Sequence, residues 1–201
     1  MNKPMISPRL GLRVDGSGFT VIELLIATSV FSTVLLLSTF GIMQVGRTYY
    51  KGVTIIRTQN AARNVMDTIS QAIQFSGSKP VGTLPTIAST SGRFCIGNTR
   101  YEYRIGSNVG SGGAMRVTEN IASGCPADGA FNQGRELLAQ NMRISRLVIV
   151  DNGNEDYSIQ LSVAYGETDL TNPTTRLCNG GAGSQFCATS ELNTTIKRRI
   201  N

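Results

Sequence analysis

From Phe19 to Val45 the chain carries one charged side chain, Glu23, and no proline. A charge placed in hydrocarbon costs about 3 kcal/mol on insertion scales, so an acid inside an apolar run is kept for a reason. Thr20-Val21-Ile22-Glu23 has the spacing of a helix capping box, in which the acid would satisfy a backbone N–H at the helix start. A second role is ionic: a poorly solvated carboxylate is a docking point for a cation. The other reactive side chains are Cys95, Cys125, Cys178 and Cys187. They include no CxxC pair, which gives zinc binding and thiol redox chemistry little support. The chain has no histidine and no tryptophan. The missing histidine removes Ser-His-Asp and Cys-His nucleophilic systems and the commonest metal ligand. An enzyme would need carboxylates or lysines alone, and the expectation is that the chain is not one.

Other motifs fall short of a site. Ser107 to Gly113 is glycine-rich but lacks the lysine and helix of a phosphate-binding P-loop, and reads as a mobile loop. Asp151-Asn152-Gly153-Asn154-Glu155-Asp156 is oxygen-rich, yet its glycine is misplaced for an EF-hand and no distal glutamate is correctly spaced. It reads as a turn. No metal and no cofactor are expected. Asn193-Thr194-Thr195 is a glycosylation sequon of the kind that occurs by chance. The formal net charge of +6 would favour nucleic acid or anionic surfaces. Apart from Lys197-Arg198-Arg199 the cations are scattered, so a solvated surface is the plainer reading and nucleic acid is weakly supported.

The elements that must position these residues follow from periodicity. About 20 apolar residues at 1.5 Å each cross a bilayer core, so 19–45 reads as a membrane span. A cleaved secretory signal has a shorter core and a small-x-small site after it, which this run lacks. Beyond it Val45, Tyr49, Val53 and Ile56, then Ala62, Met66, Ile69 and Ile73, recur at helical spacing. Gly46 and Gly52 each weaken the helix by about 1 kcal/mol and mark where it would bend or melt. Gly77 and Pro80 stop it. Residues 77–92 read as a loop. Strand-like segments follow at Phe94-Cys95-Ile96, Tyr101 to Ile105 and Met115 to Ile121. Gly134 to Gln140 reads as a helical turn. Met142 to Val150 and Tyr157 to Tyr165 are the clearest strands, 166–190 a polar excursion, and Leu192 to Ile200 a closing strand.

Gly18-Phe19-Thr20-Val21-Ile22-Glu23-Leu24-Leu25-Ile26-Ala27 resembles the cleavage and methylation motif of type IV prepilins and type II secretion pseudopilins. The resemblance implies that a prepilin peptidase cuts after Gly18 and methylates Phe19, with Glu23 as the family's signature acid. It also implies a leader in the cytoplasm, one pass through the cytoplasmic (inner) membrane and a body outside, then a periplasmic or extracellular filament. The charges alone are nearly balanced: Lys3, Arg9 and Arg13 precede the run and Arg47, Lys51 and Arg57 follow it. An exported body implies that the cysteines form disulfides. Three pairings are open. Cys178–Cys187, closing a short loop, and Cys95–Cys125, tying a strand to a loop, are preferred.

The expected organisation is a leader at 1–18, a long helix at 19–76 and a β-rich domain at 77–201. The fold class is α+β, with the helix packed on an antiparallel sheet. Residues 135–165, with Leu137-Leu138, Asn141-Met142-Arg143-Ile144 and Val163-Ala164-Tyr165, are similar to W-type minor pilins and J-type pseudopilins, as is Thr195-Ile196-Lys197-Arg198-Arg199. That implies a low-copy subunit that primes or caps a filament, with other pilin subunits as partners through the helix. The alternatives are a type II secretion pseudopilin and a membrane-anchored adhesin or DNA-uptake module.

Overall fold

The computed structural model describes residues 18–109, 112–121, 124–125, 134–172, 175, 177–181 and 183–199. The expected leader, apart from Gly18, and the end of the expected closing strand lie outside them. The chain divides into two compact units between Gln44 and Val45. One helix, α1 (Val21–Phe75), contributes to both.

In the first unit every residue from Gly18 to Gln44 is exposed. The polar ones within the helix look after themselves. The hydroxyls of Thr28, Ser29, Ser32, Thr33, Ser38 and Thr39 donate to carbonyls three or four residues earlier at 2.8–3.0 Å. No water is then needed to satisfy them, which is the condition hydrocarbon imposes on polar groups.

In the second unit α1 buries Thr54, Thr58, Ala62, Val65, Met66, Ile69 and Ile73. This face differs in part from the expected one. Val45, Tyr49 and Ile56 point away and are exposed, whereas Thr54 and Thr58 point in. The threonines can do so because each hydroxyl donates to the carbonyl four residues back at 2.8 Å, leaving its methyl group for the core. Gly46 and Gly52 do not interrupt α1. A penalty of about 1 kcal/mol each is small beside the packing of the turns that follow.

Two antiparallel sheets complete the unit, where one was expected. The first has strands β1 (Val81–Gly82), β2 (Ser91–Ile96), β3 (Thr99–Arg104), β4 (Met115–Thr118) and β5 (Arg135–Glu136), neighbours in chain order. The second has β6 (Met142–Gly153), β7 (Asp156–Tyr165) and β8 (Ala188–Lys197). Single bridges from Ile105 to Ile144 and from Asn108 to Arg143 join them. The β6–β7 turn is Asn154-Glu155, both at positive φ as a two-residue hairpin with right-handed strand twist requires. The helical turn expected at Gly134 to Gln140 is absent: Arg135–Glu136 is β5, and Leu137 to Gln140 is neither helix nor strand. Its Glu136 carboxylate accepts the backbone N–H groups of Ala114 and Met115 at 3.1 and 2.7 Å, which holds the segment extended. Buried side chains of α1, Phe94, Tyr101 and Tyr103 from the first sheet, and Leu147, Ile149, Tyr157, Ile159, Leu161 and Val163 from the second share one core.

Candidate functional site at the amino-terminal helix

Gly18, Phe19 and Thr20 precede the first turn of α1 in non-helical chain. Thr20 is the cap: its Oγ1 accepts the N–H of Glu23 at 3.3 Å, and its carbonyl accepts that of Leu24 at 3.1 Å. Half of the capping box read from the sequence is therefore built by the backbone of Glu23, not by its carboxylate. An acid in the first turn also faces the positive end of the helix dipole. The Glu23 side chain lies with Phe19, Leu24, Ala27, Thr28 and Phe31 around an open concavity of almost wholly apolar lining.

Phe19 is 81% exposed and Leu24, Leu25, Phe31 and Leu37 are all more than half exposed. Burying each such side chain is worth about 1.5–3 kcal/mol, so the run is stable only when lipid or protein covers it. α1 is long and apolar enough to cross a membrane. The run and the acid come together at one end of a capped helix, with Gly18-Phe19 accessible just before it. This arrangement puts an exposed backbone segment, an apolar surface and a carboxylate in no ion pair among the described residues side by side.

Cys95 is paired with Cys125, and Cys178 with Cys187, at S–S distances of 2.07 and 2.10 Å. The first ties buried β2 to a distant turn. The second closes the excursion that leads into β8.

Three sets of contacts made by charged side chains also shape the body. Arg198 Nε donates to Glu155 at 2.6 Å, and Lys79 lies 3.3 Å from the same carboxylate. Paired in this way, the Glu155 carboxyl is held below the usual carboxylate range and the Arg198 guanidinium is pushed up. Arg198 also donates to Gly77 O at 2.7 Å, and Arg199 sits over the Phe75 ring and donates its N–H to Gln74 O. Two members of the basic Lys197-Arg198-Arg199 cluster thus fasten the carboxyl-terminal strand to the carbonyl end of α1, where cations are favoured. Second, the buried Glu102 meets Arg93 at 2.9 Å and Arg100 at 3.3 Å. Third, buried Arg143 donates to Thr171 Oγ1 and to the carbonyl of Gly166, pinning the start of the excursion; its burial lowers the guanidinium pKa. Alternation could have found the second, because Arg100 and Glu102 share one face of β3 and Arg93 stands opposite Glu102. The other two join residues far apart in the chain.

No family model, curated protein or solved structure matches the chain.

Proposed function

We propose that the chain is a low-copy type IV pilin-like subunit that helps to prime or cap a filament, structural and not catalytic. One observation carries the reading: Gly18-Phe19 stands in exposed non-helical chain directly before a capped helix whose apolar run to Val45 has Glu23 as its only charge. A membrane peptidase needs such an accessible bond, and processing there leaves Phe19 as the new terminus. The subunit then waits in the cytoplasmic membrane with its body outside. Assembly exchanges lipid for neighbouring helices around Val21, Leu24, Leu25, Val30 and Leu35, all exposed on the isolated chain. Glu23 draws the Phe19 ammonium group, its own or a neighbour's, and sets the axial register.

Mass spectrometry of the membrane-bound protein tests the processing step. The expected mature chain begins at methylated Phe19, and Gly18 replaced by a bulky residue retains the leader and stays out of filaments. A mature terminus anywhere else refutes the reading. Counting the subunit in sheared filaments then tests copy number: a few copies per filament fit a priming or capping role, and a count equal to the bulk subunit excludes it.

A further inference from the structure

β8 is the outer strand of its sheet and pairs only with β7. An open strand edge presents a row of unmet N–H and C=O groups and is a template for another strand. The opposite edge of the same sheet is closed. Along β6, Ile149 N–H donates to Pro85 O at 2.9 Å, Ile144 O accepts Gly106 N–H at 2.8 Å, and Arg143 bridges to Asn108. Along β8, no backbone group from Thr189 to Lys197 has such a partner on its outer side among the described residues.

The direction of each backbone group follows from the two residues after the strand. Arg198 N–H donates inward to Glu155 O, and Arg199 N–H donates outward to Gln74 O of α1. Successive residues alternate in an antiparallel ladder. Even-numbered residues therefore bond β7, and Thr189, Glu191, Asn193, Thr195 and Lys197 hold their N–H and C=O groups at the open edge. These five residues are exposed, while Ala188, Ser190 and Ile196 are buried on the other face. β8 has no proline, and its register with β7 runs without a bulge from Tyr165↔Ala188 to Asp156↔Lys197. Two of the usual devices for blunting an edge are thus missing. Its only charges, Glu191 and Lys197, are of opposite sign, and no ion pair among the described residues engages either.

Those two charges select the partner. When two copies of β8 pair antiparallel about a two-fold axis at Thr194, Glu191 of each stands opposite Lys197 of the other. Asn193 then faces Thr195 and Leu192 faces Ile196, so the polar and apolar faces both continue across the join. Outward groups meet outward groups in this register, giving about eight interchain backbone hydrogen bonds. A two-fold axis at Glu191 or at Lys197 sets like charges opposite each other, as does parallel pairing in register, and each is penalised. We propose that the open edge of β8 is a docking site for β8 of a second copy of this chain. Because the β6 edge is closed, the pairing stops at two copies and merges their two sheets into one. The inference goes beyond the filament reading and does not depend on it.

The test uses the full chain in detergent, with sedimentation velocity and oxidative cross-linking. Thr194→Cys lies on the axis in a non-hydrogen-bonded pair, where Cα atoms are about 4.5 Å apart and within disulfide reach. It should give a disulfide-linked dimer on mild oxidation. Thr189→Cys, about 33 Å from its copy in this register, should give none. Glu191→Lys or Lys197→Glu reverses both cross-strand pairs and should weaken the dimer about tenfold, and Glu191→Lys/Lys197→Glu should restore it. Asn193→Pro removes an outward N–H and no bond to β7, so circular dichroism should be unchanged while the dimer is lost. The charge variants, on the exposed face, keep the test independent of any effect of proline on folding. A monomeric wild-type chain, a dimer that survives Asn193→Pro, or equal cross-linking at 194 and 189 overturns the proposal. Failure of the charge-swapped double variant to recover overturns the register. Cross-linking of Thr194→Cys in native membranes to a different protein, with no homodimer, overturns the second copy as the occupant.

Discussion

Glu23→Val separates assembly from anchoring. In the membrane the substitution removes a charge whose insertion costs about 3 kcal/mol, so the variant should reach the bilayer at least as well as wild type. The helix start is unaffected, because Glu23 contributes its backbone N–H to Thr20 Oγ1 and valine keeps that bond. The carboxylate alone is lost. Against an ammonium group 4 Å away it is worth about 4 kcal/mol at an effective dielectric of 20 and about 1 kcal/mol in water. Desolvation cancels part of the difference. A net loss of about 1.4–2.8 kcal/mol lowers incorporation by about 10- to 100-fold. Membrane level and filament content, measured side by side by immunoblot of membranes and sheared filaments, read the two effects apart. Glu23→Gln, which keeps the shape, should behave as the valine variant does. Normal filament content of either variant would leave Glu23 with no part in assembly.

Removing the disulfides should destabilise unequally. Loops of 9 and 30 residues correspond to about 2.6 kcal/mol for Cys178–Cys187 and about 3.6 kcal/mol for Cys95–Cys125; thermal unfolding of the paired Cys→Ser variants in detergent gives the order, and the reverse order contradicts the loop argument. Ile69→Ala, at a fully buried position between helix and sheets, should cost about 2–5 kcal/mol in the same assay, whereas exposed Ile56→Ala should cost little. Glu155→Gln should lower stability at neutral pH: a carboxyl held below its usual range contributes above its unfolded pKa of about 4.3 and loses that contribution as pH falls through the folded value. The wild-type advantage should therefore vanish in acid, and a variant equally stable at all pH values would show the Arg198 contact to be idle.

Much of the body was legible because burial and alternation agree. Tyr157, Ile159, Leu161 and Val163 alternate with Ser158, Gln160 and Ser162, and all four are buried in β7. Phe94 to Ile96 and Tyr101 to Arg104, read as strand-like segments, pair antiparallel around Gly97-Asn98. The misreading at 134–140 has a clear origin. Arg-Glu-Leu-Leu-Ala-Gln is a run of good helix formers, yet the Glu136 carboxylate is committed to two N–H groups some twenty residues away. Local propensity is worth tenths of a kcal/mol per residue, and two charge-assisted hydrogen bonds exceed it.

The helix shows the same competition on its second face. A hydropathy pattern counts Tyr49 and Ile56 as core and Thr54 and Thr58 as surface, and the structure reverses both assignments. Threonine is polar to a sequence scale, but within a helix its hydroxyl can be spent on the preceding turn. The hydroxyls of Thr28, Ser32 and Thr39 do likewise along the membrane-length run. One device thus serves both halves of α1, making polar residues acceptable to hydrocarbon in the first and to a packed sheet in the second. Glu23 is the residue that cannot be neutralised in this way, because a carboxylate has no proton to donate to a carbonyl. That contrast makes Glu23 stand out in the sequence as the one charge of the run, whereas Thr54 and Thr58 of the helix's buried face do not show in a hydropathy pattern.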